Sequence, residues 1–147
     1  MRIVIGVLSA AALTVAAVGS AVAADAQIAV TTLDTVLAGK PLADGANKVM
    51  DVFTANKSQL QVLTISRIKL HHHEQEDHVV YVARGSGKGR IETAPGRIEV
   101  REVRAGDFYV LPKNLRHAFE KSGGDDLVLL VVATAGWKPL EDTKFHE

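Results

Sequence analysis

Short runs of alternating apolar and polar residues follow one another from Val49 to Ala133. A period of two puts successive side chains on opposite faces of an extended chain, so each run predicts a strand with one buried face. Glycine, proline, asparagine and aspartate separate the runs, as turns require. The predicted strands are Val49–Phe53, Gln59–Leu70, His78–Ala83, Gly89–Thr93, Arg97–Val103, Phe108–Leu111, His117–Glu120 and Leu127–Ala133.

Short strands at regular spacing, with no helical period of useful length among them, predict an all-β sandwich or barrel over residues 48–137. The segment before it has a mixed pattern, in which Thr32–Leu37 fits a short helix or a strand. We interpret residues 24–47 as an N-terminal arm that covers the barrel edge. Residues 138–147 are predicted to be a C-terminal tail, with His146 in a disordered polar stretch.

The first residues have the pattern of a secretory signal peptide. Arg2 provides a positive charge, Ile3–Val18 is apolar or small, and Ala21–Ala23 forms a small-residue cleavage site. We therefore predict a signal peptide over residues 1–23, cleavage after about Ala23, and a secreted or periplasmic protein. An uncleaved membrane anchor is the alternative.

Amino-acid composition excludes several kinds of partner and chemistry. The 17 Lys+Arg residues balance 17 Asp+Glu residues, so the sequence predicts no nucleic-acid partner and, after signal cleavage, no membrane partner. The chain has no cysteine, which excludes disulfides, thiolate metal ligands and a cysteine nucleophile.

Four histidines are the candidate metal ligands. His71 and His73 are two residues apart, so an extended backbone puts both imidazoles on one face. His78 opens the next predicted strand, and His117 lies further along the chain. Imidazoles without sulfur ligands suit Fe, Mn, Cu, Ni or Zn as divalent ions. The spacing favours a metal site, and a loosely binding polar loop is the alternative.

These residues resemble the two motifs of the cupin family. The first motif, G-x5-H-x-H-x(3,4)-E-x6-G, is matched after its leading glycine by His71, His73, His78 at the glutamate position, and Gly85. The second, G-x5-P-x-G-x2-H-x3-N, is matched by residues that begin at Gly106 and include Pro112, Asn114 and His117. The resemblance covers roughly residues 49–133 and implies a double-stranded β-helix, the cupin jelly-roll barrel.

The sequence departs from the family pattern at four positions. Ile65 and Lys121 replace a glycine and an asparagine, and Asn114 replaces a glycine whose left-handed conformation asparagine tolerates. The important departure is His78, because the family has a glutamate ligand there. Asp77 fits the shorter spacing, but strand alternation and the distance to the following glycine favour His78. A site that uses Asp77 or Glu76, or no metal at all, remains an alternative.

The resemblance implies one divalent transition metal held by His71, His73, His78 and His117. Four neutral imidazoles would leave the ion its full charge and favour a small, anionic organic substrate. The implied function is a metal-dependent oxygenase or related oxidoreductase of the dioxygenase-like type. The alternative is a non-catalytic periplasmic protein that binds or senses a metal or small ligand. The resemblance also implies a homodimer.

Other residues near the motif are predicted to be bystanders. His72 should face away from its neighbours, while Glu74, Glu76 and Asp77 form a solvated turn, or provide one acceptor for a ligand imidazole. Catalytic residues cannot be assigned from the sequence. The groups considered for proton transfer are Tyr81, Tyr109 and Glu120.

Overall fold

The computed structural model describes residues 31–43, 45–55, 58–134 and 142–147. These residues belong to a compact unit, Thr31–Glu147. The predicted signal peptide with its cleavage site at Ala23 lies outside them. In the part of the chain that is described, no helix has the length and apolar character that a membrane crossing needs.

The described residues form one short helix and eleven strands. The helix is α1 (Leu33–Leu37). The strands are β1 (Leu42–Ala43), β2 (Asn47–Ala55), β3 (Ser58–Ile65), β4 (His71–His73), β5 (His78–Arg84), β6 (Ser86–Ala94), β7 (Arg97–Arg104), β8 (Phe108–Leu111), β9 (His117–Lys121), β10 (Leu127–Thr134) and β11 (Thr143–Phe145).

The strands form two antiparallel sheets. One has six strands in the order β1-β2-β3-β10-β5-β8, and the other has five in the order β11-β4-β9-β6-β7. The predicted all-β jelly-roll class is therefore confirmed. Within the described residues, however, strand pairing does not close the two sheets into a barrel.

One predicted strand is shorter than expected. Gln59–Leu70 was expected to be continuous, but β3 ends at Ile65, and residues 66–70 cross to the other sheet, where β4 begins at His71. The crossing backbone is satisfied from both sides, because Ser66 N donates to Ala46 O (3.0 Å) and Ile68 N to Phe119 O (2.7 Å). This crossing carries the H-x-H pair from one sheet to the other.

The N-terminal arm reaches the edge of the six-stranded sheet. The Thr32 side chain caps α1 by accepting from Thr35 N (3.1 Å), and β1 pairs with β2 at the edge. Asp34 of α1 forms an ion pair with Arg84 of β5 (2.5 Å). β1 thus forms a sheet edge, while α1 contacts β5, which is four strands away from β1 in the sheet order.

Within the predicted C-terminal tail, Thr143–Phe145 form an edge strand, and residues 138–141 lie outside the described residues. β11 pairs antiparallel with β4, and Phe145 lies opposite His71. Beyond the strand, His146 N donates to Leu70 O (2.9 Å). The prediction of disorder at His146 was therefore wrong, because the free edge of β4 offers backbone groups that a polar segment can satisfy.

The core lies between the inner faces of the sheets. Val82 and Leu127 are fully buried, and Ile65, Val103 and Leu129 are nearly so. Two turn residues keep the strands in place. Gly85 has a positive φ of 76°, and a Cβ there would collide with the Asp126 carbonyl. Asn114 also has a positive φ, 65°, as its position in the second motif predicts.

Candidate metal centre

Two candidate ligands are cross-strand neighbours. β4 pairs with β9 so that His71 lies directly opposite His117, with ring centroids 4.3 Å apart. His71 Nδ1 lies 2.8 Å from Lys69 O, and His117 Nδ1 lies 2.9 Å from Leu115 O. A carbonyl only accepts, so each Nδ1 carries the proton and each Nε2 keeps its lone pair for a ligand.

The other two candidates connect the sheets. His73 lies two residues after His71 on the same face of β4, and its ring centroid is 4.1 Å from that of His78. His78 is the first residue of β5, in the opposite sheet. All four predicted histidines are thus brought together, each buried to 7% exposure or less.

The ligand atoms fall into two overlapping groups of three. Among the described residues, one group contains His71, His73 and His117, and the other contains His73, Glu76 and His78. Within each group, the ligand atoms lie within 4.8 Å of one another. His73 belongs to both groups, and a carboxylate enters the second. Metal binding by the four histidines stays a prediction, now with a defined geometry.

Burial keeps these imidazoles neutral. Desolvation lowers the pKa of His73, His78 and His117 to about 3, and repulsion between neighbouring imidazolium charges adds to it. The pKa of His71 is also lowered, mainly by burial. Neutral imidazole is the form that binds a transition metal, so no proton has to leave at neutral pH.

Glu76 is a buried member of the site. Its exposure is 2%, and its Oε2 lies 3.6 Å from His78 Nε2. Burial, assisted by the nearby Asp142 carboxylate, raises the pKa of Glu76 to about 7. The prediction that it lies in a solvated turn was wrong, because the chain between β4 and β5 turns inward at this residue. Glu74 and Asp77 are exposed, as predicted.

Asp142 is a site residue that was not predicted from the sequence. This residue is 3% exposed, and its Oδ2 lies 3.7 Å from His73 Nδ1. Its Oδ1 accepts from Gln75 N (2.9 Å), which fixes the turn after β4. Thr143 Oγ1 is 3.3 Å from the same His73 nitrogen. Both residues belong to the C-terminal segment, and nothing in its composition marks them as site residues.

The groups considered earlier for proton transfer lie elsewhere. Tyr81 stacks on the exposed Phe108, with ring centroids 4.6 Å apart. Glu120 is exposed, and Tyr109 Oη lies 3.5 Å from Asp107 Oδ2. None of the three lines the cavity at the histidines. Glu76 does not line the cavity either, but its carboxylate lies 3.6 Å from His78 Nε2, so it is closer to the cluster than these three groups.

A cavity of about 470 Å³ opens onto the histidine cluster from between the sheets. Most of its wall is apolar, and Phe119 and Phe145 contribute aromatic surface. Gln61 provides a buried polar group, while Arg67 and Lys69 are exposed and line the same cavity. The remaining lining residues are Ala46, Asn47, Val49, Leu63, Ile65, Ile68, Val80, Leu129, Val131, Thr143 and the four histidines.

The donor set fits a divalent transition metal. Two imidazoles have their orientation fixed by backbone carbonyls, and the buried Glu76 Oε2 and Asp142 Oδ2 have no hydrogen-bond partner among the described residues. A buried carboxylate oxygen without a hydrogen-bond partner is unfavourable unless a positive charge, such as a metal ion, lies beside it. The cluster therefore offers a site for one divalent transition metal.

The same region matches a known family. Residues 64–133 match the family described as Cupin domain, and this segment contains all four histidines. Over this segment the chain is similar to the cupin domain.

Curated relatives with a related sequence are named as dioxygenases. The chain is 34% identical over 97 residues to an acireductone dioxygenase of Bacillus mycoides, covering 63% of this chain and 56% of that protein. It is 34% identical over 74 residues to an acireductone dioxygenase of Bacillus cytotoxicus, covering 49% and 44% respectively. The chain thus spans about half the length of the curated relatives it matches.

Solved structures support the fold. The structure of Lactobacillus farciminis oxalate decarboxylase in a formate complex gives a TM-score of 0.62 at 20% identity, covering 72% of this chain and 33% of that one. Streptomyces PAC13 with uridine gives 0.61 at 12% identity, covering 76% and 87%. At these identities the similarity shows the jelly-roll fold alone.

The buried histidines predict acid sensitivity of the metal-free protein. Between pH 6.5 and 3 the unfolded chain binds protons at His73, His78 and His117 that the folded protein does not bind, so stability falls as the pH falls. Glu76 opposes this between pH 7 and 4.5, because its folded carboxyl keeps the proton. The three histidines outweigh Glu76, because each group changes the free energy of unfolding by at most about 1.4 kcal/mol per pH unit.

Urea unfolding of metal-free protein at pH 6.5 and 5 measures this balance. We expect a loss on the order of 2 kcal/mol at the lower pH, and a steeper loss for Glu76→Gln, which lacks the opposing proton. Stability that is unchanged or higher at pH 5 would contradict the assignment of neutral buried histidines.

Proposed function

We propose that this cupin domain is a mononuclear metal-dependent oxygenase, or a related oxidoreductase, that acts on a small anionic organic molecule. The observation that carries the proposal is the cavity of about 470 Å³ that opens onto four buried histidines. A cavity of this size can enclose a small substrate next to the candidate ligands. A carrier of a bare metal ion would not need this space.

The cavity wall supports a substrate that is partly apolar and partly charged. The apolar residues can bury a short carbon skeleton and exclude water from it. Arg67 and Lys69 provide positive charge, and Gln61 is held by a hydrogen bond from its Nε2 to Asp51 Oδ1 (2.5 Å). The arrangement favours an enolate or carboxylate that points toward the histidines.

The residues of the site would have two roles, metal binding and proton transfer. A divalent ion, when bound, would supply Lewis acidity and redox chemistry at the end of the cavity. His71, His73 and His117 would hold it, with His78 and Glu76 on the second side of His73. Glu76, whose pKa is about 7, lies beside His78 and not in the cavity wall, so a proton that it exchanged with a substrate would have to pass by way of the histidine cluster.

The names of the curated relatives agree with this class of reaction. Two Bacillus proteins of 34% identity are acireductone dioxygenases. This chain covers about half of their length, so an acireductone is a candidate substrate within the proposal. Binding of a metal or small ligand without turnover is the competing function.

Oxygen uptake by untagged, metal-loaded protein tests the proposal. We expect uptake with at least one member of a panel of acireductones, diketones, phenols and thiols. His73→Ala should abolish both metal retention and uptake, since His73 belongs to both ligand groups. Gln75→Ala is the matched control, because Gln75 is exposed and adjacent to the site. A protein that retains metal but consumes no oxygen with any member would support the binding function instead.

Export is part of the proposal. It is supported by the charge at Arg2, the apolar stretch Ile3–Val18 and the small residues Ala21–Ala23. Cleavage after about Ala23 would release the mature protein into the periplasm or the medium.

We also propose a homodimer that packs through the outer face of the six-stranded sheet. Successive strand partners form two apolar rows across β2, β3, β10, β5 and β8. The rows consist of Phe53, Leu60, Val132, Val79 and Val110, and of Met50, Val62, Leu130, Tyr81 and Phe108.

The lack of charge on this face fits a second copy of the chain. Phe108 and Val110 are 68% and 70% exposed, whereas Val62 is already buried, and neither row contains a charged residue. The strand spacing gives the two rows roughly 330 Å² of flat sheet. A stable interface of ~800 Å² per partner would therefore also need contacts from outside the two rows. An uncharged sheet face is complementary to itself about a two-fold axis.

Light scattering on the purified protein tests the dimer. We expect twice the chain mass, and a monomer for Val110→Lys, since the lysine would place charge in the apolar rows. Val100→Lys is the matched control, because Val100 is 63% exposed on β7 of the other sheet. A monomeric parent protein would contradict the homodimer. A Val110→Lys variant that stays dimeric would show that the two copies associate through another surface.

A further inference from the structure

Two of the six histidines remain outside the buried cluster, and the fold brings them together. His72 lies between His71 and His73 on β4, so strand alternation turns its imidazole to the opposite, outer face. His146 follows β11, the edge strand that pairs with β4. His72 Nδ1 and His146 Nε2 are 2.7 Å apart on the protein surface.

We propose that His72 and His146 form a second, solvent-accessible site for a divalent transition metal on the outer face of the five-stranded sheet. The proposal does not depend on the oxygenase function, because it uses none of the buried ligands. It would make β4 a strand that carries metal ligands on both of its faces.

The backbone fixes the position of both imidazoles. Lys144 pairs with His72 in the register of β11 and β4, and His146 N donates to Leu70 O (2.9 Å). The two histidines are therefore diagonal neighbours on antiparallel strands, where side chains of this length reach one another. Their ring centroids are 5.0 Å apart, with 32° between the ring planes.

The nitrogen separation is close to what a shared ion needs. With metal–nitrogen bonds of roughly 2.1 Å, two imidazole nitrogens at a right angle lie about 3 Å apart. Opening the observed 2.7 Å by a few tenths of an ångström requires only small side-chain rotations. The ion would take the place of the hydrogen bond between these two nitrogens, and water would complete its coordination.

The surrounding charges set the expected strength of the site. Lys144 lies directly opposite His72 and repels a cation, although Glu74 Oε2 lies 3.7 Å from its Nζ and offsets part of that charge. Glu147 is engaged by Arg90 (2.6 Å), so it is not available as a ligand. With two protein ligands and an adjacent lysine, the outer site should bind more weakly than the buried cluster.

An ion at the outer site would act on the wall of the cavity. β11 has three residues and, in the described chain, pairs only with β4. It also provides Thr143 and Phe145 to the cavity lining, and Phe145 packs on His71 with ring centroids 5.8 Å apart. A metal ion that bridges His72 and His146 would stabilise the pairing of β11 with β4. It would thereby stabilise the part of the cavity wall that β11 provides.

Nickel binding to untagged full-length protein tests the site. Equilibrium dialysis with elemental analysis should show a second, weaker equivalent of Ni²⁺ beyond the one retained by the buried cluster. His72→Ala and His146→Ala should each weaken that equivalent at least tenfold, and the double variant should lose no more than either single one, since both remove the same site. Lys144→Gln should strengthen it several-fold, because it removes the opposing charge.

Hydrogen exchange provides a second readout that does not depend on counting ions. Ni²⁺ at saturating concentration should slow exchange at the β11 amides in the parent protein but not in His146→Ala. Both histidines are partly or fully exposed, so their replacement should leave the fold intact by circular dichroism. A second equivalent that survives in either single variant, or β11 exchange that ignores Ni²⁺, would overturn the proposal.

Discussion

The pairing of β4 with β9 sets His71 directly opposite His117, and the rest of the site depends on that register. A shift by one residue would turn all the β4 histidines to the opposite faces and expose two candidate ligands to solvent. The register is held on both sides. Asn114 N donates to His73 O (2.6 Å), and β11 satisfies the outer edge of β4. A three-residue strand can thus carry a buried cluster because its neighbours satisfy its backbone.

Much of this arrangement could be predicted from the sequence. Strand alternation placed His71 and His73 on one face and His72 on the other, and the cupin motif added His78 and His117 from distant strands. These predictions succeed because they rest on local periodicity and on the spacing within a known fold. The eight predicted strands appear in the structure, although Gln59–Leu70 ends early, at Ile65, where the chain crosses to the other sheet.

The parts that could not be predicted depend on long-range contacts. Asp142 reaches His73 only because the C-terminal segment returns to the edge of β4, and no local pattern announces that pairing. Glu76 is one of three acidic residues between His73 and His78, together with Glu74 and Asp77. The path of the turn between the two sheets decides that Glu76 is the buried one. Both residues modify the predicted electrostatics, because two carboxylates beside the imidazoles reduce the excess positive charge expected from a histidine-only site.

Anomalous X-ray diffraction from crystals of the metal-loaded, untagged protein would test the central claim most directly. We expect a strong peak enclosed by His71, His73 and His117, with imidazole nitrogens about 2.1 Å away. The map would also show whether His78 or Glu76 completes the coordination on the second side of His73. Absence of a peak in this cluster, or a peak not coordinated by these imidazoles, would contradict the account.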